Sequence, residues 1–117
     1  MRRTAATPRI LVDDMVQYCQ TVAHWVSKGH EAFVDPESGA QATIERQFER
    51  FEEAANALGV SFRNANPQIP WRPIFEIRNE ISHRYERSYD PEKLWRFVRD
   101  DLPKIAKSLR RVRFAKT

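Results

Sequence analysis

The residues best suited to chemistry lie in one stretch of this sequence, IPWRPIFEIRNEISHRYE (residues 69–86). Arg78, Asn79, His83 and Tyr85 fall within eight residues of one another. Histidine can transfer protons near neutral pH. Arginine can hold a phosphate with two hydrogen bonds and stabilise developing negative charge. The set therefore contains the parts needed for phosphodiester cleavage without a metal ion.

The spacing within this stretch constrains how such a site could be built. Arg78 and His83 are five positions apart, which corresponds to about 140° around an ideal helix, so they do not share one narrow face. Asn79 and His83 are four apart and do share one. Two copies of the helix meeting at a two-fold axis could bring the arginine of one to the histidine of the other. Alternatively, Arg78 borders the core and His83 is an ordinary surface residue.

Other kinds of site find little support in the sequence. The three histidines and the single cysteine form no cluster with the spacing of metal ligands, and there is no glycine-rich phosphate loop. We therefore expect no bound metal and no cofactor. A lone cysteine also excludes an internal disulfide bond.

Charge is distributed unevenly along the 117 residues, whose net charge is +4. Residues 104–117 contain six Lys or Arg residues and no acid. Such a basic segment suits a polyanionic partner, although it could equally serve solubility. No apolar run is long enough to span a membrane, and no signal peptide is visible, so a cytoplasmic location is expected.

Four main helices are predicted from caps and apolar periodicity. The first begins at Pro8 after Thr7 and ends at Gly29. Residues 30–39 are predicted to form a loop. The second helix spans residues 41–58, where apolar residues alternate at spacings of four and three. Gly59 ends it, and a polar loop follows.

The remaining two helices occupy the C-terminal half. The third is predicted from Trp71 to about Tyr85, and the fourth begins at Pro91 after Asp90. Pro103 lies inside the fourth and should kink it by removing one backbone hydrogen bond. The sequence thus predicts one all-α domain over residues 1–117, an up-and-down bundle of four main helices.

The C-terminal half resembles a known family. The run IPWRPIFEIRNEISHRY followed by YDPEKLWRFVRDDLPKI is similar to HepT-like proteins, which are ribonuclease toxins of the HEPN superfamily. The matching positions follow the family's order: an arginine and asparagine, then a histidine, then a tyrosine two residues later, and finally a Leu-Trp pair and an Asp-Leu-Pro triplet. A looser similarity extends over residues 8–58.

This resemblance implies a symmetric homodimer whose two motifs line one composite cleft. It implies a metal-independent endoribonuclease toxin of a type II toxin–antitoxin pair, with Arg78 and His83 as catalytic residues and Asn79 as a polar helper. It also implies an MNT-type antitoxin, a minimal nucleotidyltransferase that attaches AMP to Tyr85.

Two positions depart from the family pattern, because Ser82 and Arg84 stand where relatives often have an apolar residue and a glycine. Arg84 and Arg87 add positive charge that could contact RNA. Two other functions remain open: a non-catalytic nucleotide- or substrate-binding partner of a minimal nucleotidyltransferase, and a structural dimer without activity.

Overall fold

The computed structural model describes residues 6–114, and every regular element in this range is helical. The elements are α1 (Pro8–Val26), α2 (His30–Val34), α3 (Ala40–Ala57), α4 (Val60–Ala65), α5 (Trp71–Ser82), α6 (Pro91–Arg96), a π-helical turn (Phe97–Asp101) and α7 (Leu102–Arg110). The predicted all-α bundle is confirmed. Its four main members are α1, α3, α5 and the continuous helical segment that runs from α6 through the π-helical turn to α7.

Helix α3 packs against both α1 and α5. Helix α7 packs against α1. The core is apolar, and its largest fully buried members include Met15, Phe33, Phe48 and Phe51. Burial raises the pKa of Cys19 to about 12, so this thiol stays protonated and serves as a small core side chain. None of the helices in the described range is both long and apolar enough to cross a bilayer.

The two predicted loops each contain a short helix, which corrects the prediction. Gly29, with a φ of 93°, directly precedes α2, and Gly59, with a φ of 86°, directly precedes α4. A positive φ costs glycine little, so each glycine ends one helix and lets the chain turn into the next. Sequence periodicity cannot reveal helices of five or six residues, because one turn carries too few apolar positions.

The predicted start of the fourth helix is confirmed, and its distortion takes a specific form. Asp90 accepts a hydrogen bond from the backbone N–H of Glu92 at 3.0 Å, and Pro91 occupies the first turn. Near Pro103 the chain forms a π-helical turn, in which the N–H of Leu102 bonds to the carbonyl of Phe97. Because Pro103 has no backbone N–H, one helical hydrogen bond is missing here, and the extra residue of the π-helical turn accommodates that loss.

Helix α5 ends at Ser82, three residues earlier than predicted. The N–H of His83 bonds to the carbonyl of Glu80, and that of Arg84 bonds to the carbonyl of Ile81, both at 3.0 Å. These tighter bonds close the helix, and the Arg84 side chain also donates to the Ile81 carbonyl at 3.1 Å. Helical spacing therefore does not extend to His83, whose φ and ψ are −105° and 20°.

Candidate active site

The candidate arginine lies between α5 and α3. The Nη2 atom of Arg78 is 3.5 Å from Glu49 Oε2, and its Nε is 3.8 Å from Glu52 Oε1. Both distances allow charge attraction but exceed an ordinary hydrogen bond. The Nε is buried and has no hydrogen-bond partner within the described part of the chain. Charge attraction to Glu49 and Glu52 thus positions Arg78, while its Nε–H donor stays unused.

The two glutamates belong to a line of acids on α3, here called the acidic row: Glu45, Glu49 and Glu52. Spacings of four and three residues place them along one side of the helix. Burial raises the pKa of Glu52 above its ordinary value, and the Arg78 charge only partly opposes this effect. Glu49 and Glu52 face Arg78 on α5 from partly buried positions, where charges interact more strongly than in water.

The candidate histidine lies just beyond α5, in the turn that follows it. His83 Nδ1 is 3.0 Å from Glu86 Oε1, and 51% of the His83 side chain is exposed. Nε2 has no hydrogen-bond partner among residues 6–114. A carboxylate on one ring nitrogen fixes the ring and leaves the other nitrogen available to a ligand.

The candidate residues are near one another in sequence but do not form one contact cluster. Arg78 makes its ion pairs with α3, whereas His83 pairs with Glu86. Asn79 is exposed. Within the described residues of one chain, then, the structure does not join Arg78 to His83.

Tyr85 projects from the turn after α5, and 90% of it is exposed. The guanidinium of Arg84 lies 5.1 Å from the centre of its ring, a cation–π distance. Arg84 is also 3.6 Å from Glu49 Oε2, so Glu49 lies close to two arginines. Arg87 is exposed.

A second tyrosine four residues later has the opposite environment. The Tyr89 hydroxyl donates to Glu45 Oε2 at 2.6 Å, and Gln41 Nε2 donates to the same oxygen at 3.1 Å. Burial raises the pKa of Tyr89, and the bond to Glu45 raises it further, so the phenol stays protonated. Glu45, at 7% exposure, is fixed by both donors.

A pocket of about 440 Å³ opens between the start of α3 and the turn after α5. We call it the Tyr85 pocket, and it is lined by Gln41, Ala42, Glu45, Arg46, Glu49, Arg84, Tyr85 and Tyr89. It is the place where Glu45 and Glu49 of the acidic row meet two arginines and the exposed tyrosine.

Sequence reasoning missed the acidic row, Glu86 and Tyr89. The row left a visible signal, because glutamates at spacings of four and three line one side of a predicted helix. Glu86 lies only three residues after His83, which also marks it as a possible partner. Across residues 6–114, no three His, Cys, Asp or Glu side chains are grouped as metal ligands.

The geometry defines a class of protein: a small helical bundle with an arginine near the end of one helix, and a histidine and an exposed tyrosine in the turn that follows it. Residues 15–112 match the family described as ribonuclease HepT-like. The chain belongs to this family.

Three relatives carry names that propose ribonuclease activity. A Methanocaldococcus jannaschii protein named as an RNase is 34% identical over 64 residues, covering 55% of this chain and 58% of its own. A Thermococcus cleftensis protein named as ribonuclease HepT is 29% identical over 73 residues, covering 62% and 66%. For these two, the match spans less than two thirds of the relative. A Caldanaerobacter subterraneus subsp. tengcongensis protein named as an RNase is 26% identical over 108 residues, covering 91% and 94%. No solved structure matches the chain.

Proposed function

We propose that this chain is a metal-independent endoribonuclease and the toxin of a type II toxin–antitoxin pair. Family membership supports ribonuclease chemistry. The observation that carries the residue assignment is the 3.0 Å contact between His83 Nδ1 and Glu86 Oε1, which leaves Nε2 open to a substrate. In this proposal Arg78 and His83 are catalytic and Asn79 is a polar helper.

The reaction is an attack by the ribose 2′-oxygen on the adjacent phosphorus. A new P–O2′ bond forms, the P–O5′ bond breaks, and a 2′,3′-cyclic phosphate remains. His83 accepts the 2′-OH proton or donates a proton to the departing 5′-oxygen, and Arg78 stabilises the charge on the non-bridging oxygens. Glu86 would orient the imidazole through its contact with Nδ1.

The working site is proposed to form in a symmetric homodimer. Arg78 faces α3 of its own chain and His83 lies in the turn after α5, so a second copy offers a route to a composite cleft. RNA would also contact Arg84, Arg87 and the basic segment 104–117, of which residues 115–117 lie outside the described range. A single cytoplasmic domain over residues 1–117 remains part of the proposal.

Regulation is proposed to act through Tyr85. An MNT-type nucleotidyltransferase antitoxin would transfer AMP from ATP to its hydroxyl and release pyrophosphate. Exposure favours Tyr85 as the acceptor, since it is 90% exposed while Tyr89 donates its hydroxyl to Glu45. The added phosphate would repel RNA beside the cleft.

The test is cleavage of a structured RNA in EDTA, after mass spectrometry has confirmed that Tyr85 carries no AMP. The wild type should leave cyclic-phosphate ends. His83→Ala should cut about 100-fold or more slowly, because general acid–base catalysis contributes on the order of 10²–10⁴. His24→Ala is the matched control, an exposed histidine on α1 whose loss should leave the rate unchanged.

The same assay tests the role of Glu86. Glu86→Gln should lower the cleavage rate by less than His83→Ala does, because the amide still reaches Nδ1 but holds the imidazole less firmly than a carboxylate. Equal cutting by wild type and His83→Ala, or a requirement for Mg²⁺, would contradict the assignment. Cleavage of DNA, which lacks the 2′-OH, would contradict it as well.

The second candidate function is a non-catalytic nucleotide-binding partner of a minimal nucleotidyltransferase. The Tyr85 pocket favours it as an alternative, because it is large enough for a small ligand and is lined by several polar side chains. Absence of cutting by the wild type, together with saturable nucleotide binding, would support this function instead.

A further inference from the structure

The Tyr85 pocket takes no part in the cleavage step proposed above, yet it adjoins the same turn. Its volume of about 440 Å³ falls within the range of small-ligand sites, roughly 300–1,000 Å³. Charged and aromatic side chains converge on it from α3 and from the turn after α5. A pocket of this size and polarity beside a candidate ribonuclease site is suited to one nucleotide of the substrate.

One wall of the pocket is a restrained hydrogen-bond acceptor. Tyr89 and Gln41 both donate to Oε2 of Glu45, at 2.6 and 3.1 Å. Oε1 accepts no hydrogen bond from residues 6–114, so its acceptor capacity is unused. A buried carboxylate held by two donors presents its free oxygen in a fixed position, which lowers the cost of ordering it on binding.

The other features of the pocket suit an aromatic ligand with acceptor atoms. Arg46 and Arg84 also line it and can donate hydrogen bonds. The ring of Tyr85 is 90% exposed, with the Arg84 guanidinium 5.1 Å from its centre. Exposed aromatic rings and guanidinium planes are the surfaces on which unpaired RNA bases stack.

We propose that the Tyr85 pocket binds a guanine base of single-stranded RNA and gives the ribonuclease a guanine preference. Guanine carries donors at N1 and N2 that can face Glu45, and acceptors at O6 and N7 that an arginine can contact. Adenine, cytosine and uracil carry base-edge donors at one position only (N6, N4 and N3), so none of them presents two adjacent donor positions as guanine does. The proposal rests on the proposed function and names the base that its site selects.

The experiment measures binding separately from cutting. The probes are four fluorescent RNA octamers in which every ribose is 2′-O-methylated. One is octauridine itself, and in the other three one central uridine is replaced by guanosine, adenosine or cytidine. They cannot be cleaved because no free 2′-OH is present. Fluorescence anisotropy with wild-type protein should show the guanosine probe binding about tenfold tighter than the other three, as expected for one bidentate base contact.

Two variants assign the preference to this pocket. Glu45→Gln keeps the side-chain shape and should reduce the guanosine preference to below about threefold. Ala42→Leu narrows the pocket from an exposed position on α3, so it should fold normally and weaken guanosine binding selectively. The control is Glu53→Gln, an exposed glutamate on the same helix that should leave the preference intact.

The outcomes separate this proposal from the nuclease assignment. Equal affinity for all four probes, or a guanosine preference that survives in both pocket variants, would overturn the guanine site even if the protein cuts RNA. A guanosine preference lost in both variants would support it even if no cutting is seen, in which case the nuclease assignment alone would fail.

Discussion

Helix α3 presents two faces of opposite character. Phe48 is fully buried, with its ring centre 5.5 Å from that of Phe51 and 5.7 Å from that of Phe97. Glu49, the next residue, lies at charge-pairing distance from Arg78 and Arg84, at 3.5 and 3.6 Å. One face of α3 packs through apolar contacts. On the other face, Glu49 makes ion pairs whose N–O distances exceed those of an ordinary hydrogen bond.

The difference separates the stability of the bundle from the placement of its candidate chemistry. Burying aromatic side chains contributes on the order of 1.5–3 kcal/mol each. Ion pairs that retain some exposure contribute about 0–1 kcal/mol. The acidic row is therefore not needed to hold α3 and α5 together. We expect Glu49 and Glu52 instead to position the arginines with which they pair.

The largest expected effect comes from the apolar face. Phe48→Ala should lower the free energy of unfolding by about 3–5 kcal/mol, because it removes a buried ring and leaves a cavity. Urea unfolding followed by circular dichroism would measure it. Arg50→Ala, exposed on the same helix, should change stability by no more than about 0.5 kcal/mol. If Phe48→Ala lowered the free energy of unfolding by less than about 1 kcal/mol, the apolar face of α3 would not be the main source of stability, contrary to this comparison.

Substitution at the neighbouring position should affect activity rather than stability. Glu49→Gln should change the free energy of unfolding by less than about 1 kcal/mol. Its kcat for RNA cleavage should fall about tenfold, because Arg78 and Arg84 lose a shared partner that orients them. KM should not rise, since the site becomes more positive towards RNA. Steady-state kinetics beside Glu53→Gln would check this split, and a rise in KM at constant kcat would show that Glu49 only supports binding.

The parts of the fold that the sequence predicted well are those with local signals. Thr7 accepts a hydrogen bond from the N–H of Ile10 at 3.2 Å, and Asp90 caps α6 in the same way. Glycines mark the ends of α1 and α3. Each of these signals depends on residues within one turn of the boundary, so a single sequence contains them in full.

The end of α5 and the partners of Arg78 lacked such signals. No glycine or proline lies within the eight residues after Ser82. In the sequence, the Arg84 side chain that caps the Ile81 carbonyl looks like any exposed arginine. The pairing of Arg78 with Glu49 spans 29 positions and depends on how α3 and α5 pack. Helical spacing predicted that Arg78 and His83 point in different directions, but His83 lies beyond the end of α5. Only the packing shows that Arg78 faces Glu49 and Glu52.

The smallest expected effect is the pH dependence contributed by Glu52. Burial raises its pKa in the folded protein, so the folded state binds protons more readily than the unfolded chain does. Its contribution to stability is therefore present at low pH and is lost as pH rises through the folded pKa. In Glu52→Gln this dependence disappears, because the amide does not titrate.

The measurement is the free energy of unfolding of wild type and Glu52→Gln between about pH 4 and pH 7. The wild type should lose stability relative to the variant as pH rises, by less than about 1 kcal/mol, since solvent screens a partly exposed pair. Glu53→Gln serves as the control for the loss of one negative charge from α3. A wild type that instead gains stability relative to Glu52→Gln would mean that attraction to Arg78 outweighs burial. The acidic row would then stabilise the bundle as well as positioning its arginines, and the distinction between the two faces of α3 would be one of degree.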